Sequence, residues 1–295
     1  MIASGVASGT HVFSVDVEEY FQVHAFESRI ARDEWESMPS RVERGVDALL
    51  GLLDRHDARA TFFVLGWIGR RHPDLVRRIA AEGHEIASHG WSHRRVSELR
   101  REAFREEVRD SRALLGDLAG RAVIGYRAPS FSLLPGCEWA FDVLLEEGYR
   151  YDSSLFPIRR ANYGYPGALP EPHLIAREAG VILELPMTLA TWRGIRIPAS
   201  GGGYFRQLPY RISRHAFRQR AENGTPAVFY VHPWELDPDQ PRVRAPWLTR
   251  RRHYGGLATV GERLERLLSE FRFTSVDRCF KVRDGTPPEN GGPDS

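Results

Sequence analysis

The sequence predicts an α/β fold built from parallel β/α units, on three observations. Short apolar runs alternate with longer stretches whose apolar residues recur at helical spacing. The alternation runs from about residue 11 to residue 282 with no linker between, which argues for a single domain. Acidic and histidine residues stand at the C-terminal ends of the apolar runs, where α/β proteins place their sites.

Taken in order, residues 1–10 read as a loose N-terminal tail, and Val12–Val15 is the first strand. Tyr20–Pro39 is aromatic and mixed, a long loop with some helix. Val42, Val46, Leu49, Leu50 and Leu53 put one apolar stripe on a helix over Arg41–Arg55. Ala60–Leu65 is a compact strand. A helix with Pro73 near its start runs to about Ala81, and Gly83 stops it. His84–Ser88 is the third strand, and Ser97 is a good N-cap for a long charged helix through Leu118. Ala122–Tyr126 is a strand, Pro135–Glu147 a helix ended by Gly148, and Tyr149–Asp152 a short strand. From Phe156 to Gly203 Pro and Gly loosen the pattern, though Val181–Leu185 and Ile195–Ile197 still read as strands. Ser200–Arg206 is a glycine-rich turn without the Lys-Ser/Thr ending of a phosphate loop. Tyr210–Glu222 is helical, Ala227–Val231 a buried strand, Val260–Phe271 the last helix and Phe273–Val276 the last strand. Residues 283–295, polar and rich in Gly and Pro, are expected to be disordered.

Composition excludes several classes. The 295 residues are 42% hydrophobic and 27% charged, ordinary values for a soluble globular protein. A net charge of +2 gives no argument for nucleic acid as a partner. Lys281 is the sole lysine, so nearly all positive charge is arginine; clusters such as Arg250-Arg251-Arg252 read as solvated surface, with an acidic glycan or phosphate-bearing carrier as the other reading. Cys137 and Cys279 show neither metal-type spacing nor a disulfide scaffold. No apolar run is long enough to span a bilayer, and residues 1–10 lack the features of a signal peptide, so the expected compartment is the cytoplasm.

The strand ends carry the chemistry. In Ser88-His89-Gly90-Trp91-Ser92-His93 the two histidines are four apart, so on a helical turn both imidazoles face one ion. Asp16 and Glu18 close the first strand; alternate residues share a face, so they project together and Val17 points away. Two imidazoles, one carboxylate ligand and one spare carboxylate make a metal hydrolase centre. Arg127, Asp152 and His232 stand at later strand ends. Singly, each has a bland reading as a surface cation, a turn cap or a satisfied core histidine; in a barrel, however, those ends converge on one mouth.

With these motifs the chain resembles polysaccharide deacetylases of the NodB-homology type, carbohydrate esterase family four. The resemblance spans roughly Val12 to Lys281. Ser14-Val-Asp16-Val-Glu18 is similar to the family's first motif, Ala60-Thr-Phe-Phe-Val64 to its second strand, and His89-Gly-Trp-Ser-His93 to its metal motif. Arg127-Ala-Pro129 is similar to the third motif, Asp152 falls where a later motif places an aspartate, and Phe229-Tyr-Val-His232 is similar to the last motif. Phe13–Val23 and Gly201–Arg206 look most like the branch associated with exosortase and exopolysaccharide loci.

The resemblance implies a deacetylase domain over residues 11–282, folded as a distorted (β/α) barrel with fewer than eight strands. It also implies a divalent metal, most commonly zinc, and an N-acetylated carbohydrate substrate. Carried over, His89 and His93 are ligands and Asp16 is the general base. Val17 occupies the place of a second aspartate, so Glu18 is the expected third ligand. Arg127 would pair with Asp16 and aim it, His232 would protonate the leaving amine, and Asp152 would orient His232. Phe229 stands where the family's acetyl pocket has Leu, and Pro129 and Trp91 are expected beside the substrate. Three competing readings are a cyclic-amide hydrolase of allantoinase type on the same barrel, a degenerate barrel that only binds glycan, and a two-His-one-carboxylate iron oxygenase. The filled catalytic positions count against the second, and the strand–helix alternation with His232 against the third.

Overall fold

The computed structural model describes residues 9–160 and 163–285. The tails expected at residues 1–10 and 283–295 lie largely outside these, but Thr10 already belongs to the first strand. The strands are β1 (Thr10–Val17), β2 (Thr61–Val64), β3 (Glu85–Ser88), β4 (Gly125–Tyr126), β5 (Tyr151–Asp152), β6 (His173–Arg177), β7 (Gly180–Glu184), β8 (Leu189–Trp192), β9 (Ile195–Pro198), β10 (Val228–Val231) and β11 (Arg272–Thr274). Seven of them, in the order β10-β1-β2-β3-β4-β5-β7, form the parallel body of one sheet. β6 adds an antiparallel edge to β7, β11 pairs with the start of β1, and β8–β9 is a separate hairpin. The helices Val42–Arg55, Pro73–Ala81, Arg101–Ala119 and Trp139–Glu146 lie between successive parallel strands, as crossovers require.

Strand alternation divides the core in two. Phe13, Val15, Val17, Phe62, Val64, Ile86, Phe229 and Val231 pack with the helices. Val12, Phe63, Ala87, Tyr151, Leu183, Val228 and Tyr230 form a second cluster on the other face, gathering residues from strands far apart in the sheet. That gathering is the inside of a curled, barrel-like sheet. Among the described residues the sheet does not close by strand pairing between β7 and β10. Irregular backbone fills the gap: Val228 N–H donates to Thr188 Oγ1 at 2.8 Å, and Tyr230 N–H donates to Ser200 O at 2.7 Å.

This gap explains the glycine-rich segment. Gly201 bridges to Tyr230 with φ of 143°, and a Cβ there would lie 1.8 Å from Tyr230 O. Gly201→Ala is therefore expected to destabilise the fold by about 1–3 kcal/mol, as overpacking does, with a lowered Tm as the readout; an unchanged Tm would mean that this approach is loose in solution. The segment continues as the short helix Gly202–Gln207 rather than as a turn alone.

Other boundaries moved for local reasons. Ser97 does not cap the long helix; it sits in the 3-10 turn Val96–Glu98, and the helix begins at Arg101 after Arg100. Trp247–Tyr254 is helical although its sequence shows no apolar period. No described helix is long and apolar enough to cross a membrane. Cys137 and Cys279 are free thiols.

Candidate metal centre

The strand ends of β1, β3, β4 and β10 meet at one mouth. A cleft of about 530 Å³ opens there, lined among others by Asp16, Glu18, His89, His93, Arg206 and His232. Asp16 and Glu18 share the inner face of β1 with Ser14, as the period-2 argument requires. Glu19 points away and caps the helix Val42–Arg55, accepting from Arg41 N–H at 3.0 Å and from Val42 N–H at 3.3 Å.

The histidines converge by a different route from the helical turn that their spacing predicts. β3 ends at Ser88, and His89–Arg95 form a loop in which Gly90 and His93 both take left-handed φ, 75° and 54°. That backbone brings the His93 ring edge-on to His89, centroids 5.5 Å apart. Glu107, on the helix Arg101–Ala119, holds the loop by accepting from Trp91 N–H at 2.9 Å and Ser92 N–H at 3.1 Å. Sequence reasoning missed Glu107, because nothing local links a helix carboxylate to a loop sixteen residues earlier.

Glu18, His89 and His93 each offer one donor atom, and these atoms lie within 4.8 Å of one another. His89 Nδ1–H donates to Arg127 O at 2.8 Å, which leaves Nε2 free as a ligand. Burial lowers the His89 pKa to about 4, so the imidazole is neutral, as a ligand must be. Glu18 Oε1 accepts from Trp234 Nε1–H at 3.1 Å. Its Oε2 has no hydrogen-bond partner and lies 2.7 Å from His93 Nε2. Burial opposes the Glu18 charge, but the neighbouring His93, His232 and His89 prevail and hold its pKa at about 2. A buried, orphaned carboxylate oxygen facing two imidazoles fits a divalent cation, and the N₂O donor set suits zinc.

Beside this trio, fully buried Arg127 donates from one terminal nitrogen to Asp16 Oδ1 at 2.7 Å and Ser14 Oγ at 2.8 Å. Its other donors reach Ser153 O and Ser153 Oγ, and its guanidinium lies over the Phe63 ring at 4.1 Å. Asp16 Oδ2 thus faces the cleft, 4.0 Å from His232 Nε2. His232 Nε2 is also 3.7 Å from Glu18 Oε1.

Four expected roles do not survive this geometry. Asp152 does not orient His232: its carboxylate accepts from Ser154 N–H and Ser154 Oγ–H and makes no ion pair with His232. Its pKa is raised, chiefly by burial, and Glu184 beside it is raised well above the ordinary value by burial and by Asp152. The partner of His232 is Glu235, whose Oε2 lies 3.4 Å from Nδ1, a long ion-pair contact rather than a full hydrogen bond. Arg206 Nε–H donates to Glu235 Oε1 at 2.6 Å, which gives the glycine-rich segment a task at the site. The Trp234 ring stacks on His232 at 5.0 Å. Burial works against the charged imidazole, but Glu235, Glu18 and Asp16 together raise the His232 pKa to about 9. Glu235 stands three residues after His232 and was the one readable signal missed.

Phe229 does not line the cleft. Its register partner is Phe13, so it faces the helices, and the next residue, Tyr230, faces the mouth. Trp91 packs on the helix start at Gly66, where a Cβ would lie 2.4 Å from its ring. Pro129 is buried, and its successors Ser130 and Phe131, both at positive φ, line the cleft instead.

Comparison with known proteins matches residues 35–135 to the family described as Polysaccharide deacetylase, and residues 153–281 to one described as a domain of unknown function, DUF3473. The first match contains His89, His93 and Arg127, the second His232; Asp16 and Glu18 precede both. A Bacillus cereus peptidoglycan-N-acetylglucosamine deacetylase is 34% identical over 93 residues, which are 31% of this chain and 34% of that protein. A Rhizobium leguminosarum chitooligosaccharide deacetylase is 44% identical over 63 residues, 21% of this chain and 29% of that protein. The chain thus spans about a third of the length of these curated relatives. Among solved structures, a putative polysaccharide deacetylase from Mycobacterium smegmatis superposes with a TM-score of 0.63 at 22% identity, over 100% of this chain and 98% of that one. An allantoinase superposes at 0.58 and 19% identity, over 92% and 87%. Likeness at that identity speaks for the α/β fold alone.

Proposed function

We propose that this chain, which carries a polysaccharide deacetylase domain, is a metal-dependent hydrolase that removes N-acetyl groups from an N-acetylhexosamine-containing glycan. The observation that carries the reading is the convergence of Glu18, His89 and His93 with Asp16 and His232 beside them. Zinc is the ion proposed, and exopolysaccharide the proposed setting, from the likeness of Phe13–Val23 and Gly201–Arg206 to that branch.

The chemistry asks for an activated water, a polarised carbonyl and a protonated leaving amine. A divalent metal held by Glu18, His89 and His93 would supply the Lewis-acid polarisation and acidify the water. Asp16 takes the water's proton on Oδ2, since Oδ1 is engaged by Arg127. Arg127 fixes the carboxylate plane and counters its charge. His232, charged and held by Glu235, carries the proton that the amine needs from Nε2. The rings of Phe131, Tyr163, Tyr230 and Trp234 offer apolar faces for the sugar.

The test is acetate release from a panel of N-acetylated oligosaccharides, before and after chelation and with metal restored, with a small cyclic amide as a second substrate. Chelation is expected to abolish acetate release and added metal to return it. Activity surviving verified metal removal would sink the reading, and turnover of the cyclic amide alone would move it to the allantoinase type.

Glu235→Gln is expected to slow amide hydrolysis by on the order of 10²-fold, the cost of a misplaced catalytic group, and to slow an activated ester far less. Its phenolate leaves unprotonated, so a loose His232 matters little there. Asp152→Asn is expected to keep the wild-type amide-to-ester ratio. The reverse pattern would return the orienting role to Asp152.

A further inference from the structure

One wall of the cleft carries exposed apolar residues on its outer side. The helix Trp247–Tyr254 contributes Thr249, Arg252 and His253 to the cleft. Its C-terminal end is fixed: His253 is buried and stacked on Trp234 at 4.3 Å, and Arg206 donates to Gly255 O at 3.0 Å. Its first turn projects outward. Trp247 is 67% exposed and its neighbour Leu248 is 52% exposed. Arg244, Arg250 and Arg251 are exposed on the same segment and make no ion pair among the described residues; Arg251 lies over the Trp247 ring at 5.3 Å. No carboxylate side chain occurs between Asp239 and Glu262.

Two adjacent bulky apolar residues flanked by three unpaired arginines are costly in plain water and favourable at one kind of surface. Tryptophan settles at the headgroup level of a bilayer. Arginines are drawn to the anionic headgroups beside it. A shallow apolar insertion with a cationic surround is how a peripheral segment holds to a membrane without spanning it. A neutral partner would leave the arginines without a role, and a purely acidic polymer would leave Trp247 and Leu248 exposed.

We propose that the Arg244–Arg251 face docks this protein on an anionic lipid bilayer, with the cleft mouth turned toward glycan held at the membrane surface. The substrate consequence rests on the hydrolase reading above; the docking itself does not.

The experiment is flotation of the full chain with vesicles of phosphatidylcholine alone and of equimolar phosphatidylcholine and phosphatidylglycerol, at low and high salt. Binding is expected only to the anionic vesicles, weakened by salt. Arg250→Gln with Arg251→Gln is expected to lower affinity by about 25-fold, at about fivefold per arginine. Trp247→Ala with Leu248→Ala is expected to lower it at least as far as losing one arginine. The comparison site is the β8–β9 hairpin tip, where Trp192 and Ile195 are similarly exposed but only Arg193 and Arg196 stand beside them; Trp192→Ala with Ile195→Ala is expected to lower binding less than Trp247→Ala with Leu248→Ala. No binding to anionic vesicles overturns the proposal. So does loss of binding in the hairpin variant alone, or arginine-dependent capture of a soluble acidic polysaccharide with no vesicle binding. Acetate release from a soluble oligosaccharide is expected to be the same in all these variants. Its absence even in the wild type counts against the hydrolase reading and leaves the flotation result standing.

Discussion

Asp16→Asn is expected to keep bound metal and to lose turnover by roughly 10²–10⁴-fold, the usual worth of a positioned general base. The amide matches the carboxylate in size, and its oxygen can still accept from Arg127 at the Oδ1 position, 2.7 Å away in the wild type. What disappears is the proton acceptor at Oδ2, the atom that faces the cleft. The substitution also takes away the nearest counter-charge of a fully buried arginine. Breaking a buried pair from one side costs about 3–5 kcal/mol, and the retained hydrogen bond should keep the actual loss below that. Thermal unfolding must therefore accompany the kinetics, with rates compared on fully folded protein. Metal content equal to wild type with near-normal turnover would remove Asp16 from the base role. Loss of metal as well would make it a ligand.

Glu18→Gln is expected to weaken zinc binding by more than the roughly 10–100-fold typical of losing a partner one step removed from the ion, because in the proposed centre Glu18 would supply one of three donor atoms. The neighbouring variant, Glu19→Gln, is the internal control. Glu19 points to the other side of β1, where its carboxylate accepts from Ser40 Oγ–H and the Arg41 and Val42 N–H groups at a helix start. Its loss should lower stability and leave zinc affinity alone. Titration of both variants with zinc, beside their unfolding curves, separates ligand from cap. Unchanged affinity in Glu18→Gln, or a larger loss in Glu19→Gln, would show the assignment to be wrong.

The contrast between these two carboxylates shows how far local reasoning reaches. The period of two along β1 was enough to put Asp16 and Glu18 together and Glu19 apart, because strand geometry is imposed by the backbone whatever the partners are. The same logic found the parallel strand–helix alternation and the strand ends on which His89, Arg127 and His232 stand. It also found the helix expected over Arg41–Arg55 and observed over Val42–Arg55, whose apolar stripe is written in five residues.

Tertiary structure alone decided the rest. His89 and His93 meet through a loop with two left-handed residues, clamped by Glu107, and not through a helical turn. Phe229 looked like a pocket residue from its motif position, yet the register that pairs it with Phe13 turns it to the helices and gives the mouth to Tyr230. Register between strands more than two hundred residues apart depends on how both faces of the sheet are buried, and no local window contains that. The orienting carboxylate is the most instructive case. Asp152 had the right residue type at a strand end, but burial leaves it against Glu184 and Ser154. Glu235 reaches His232 because a single 3-10 turn after β10 brings it back, and Arg206 from the helix Gly202–Gln207 holds it there. By itself the sequence determined which residue types stand at which strand ends. Which of them touch was settled by strand register, loop conformation and the desolvation of paired charges, all properties of the assembled chain.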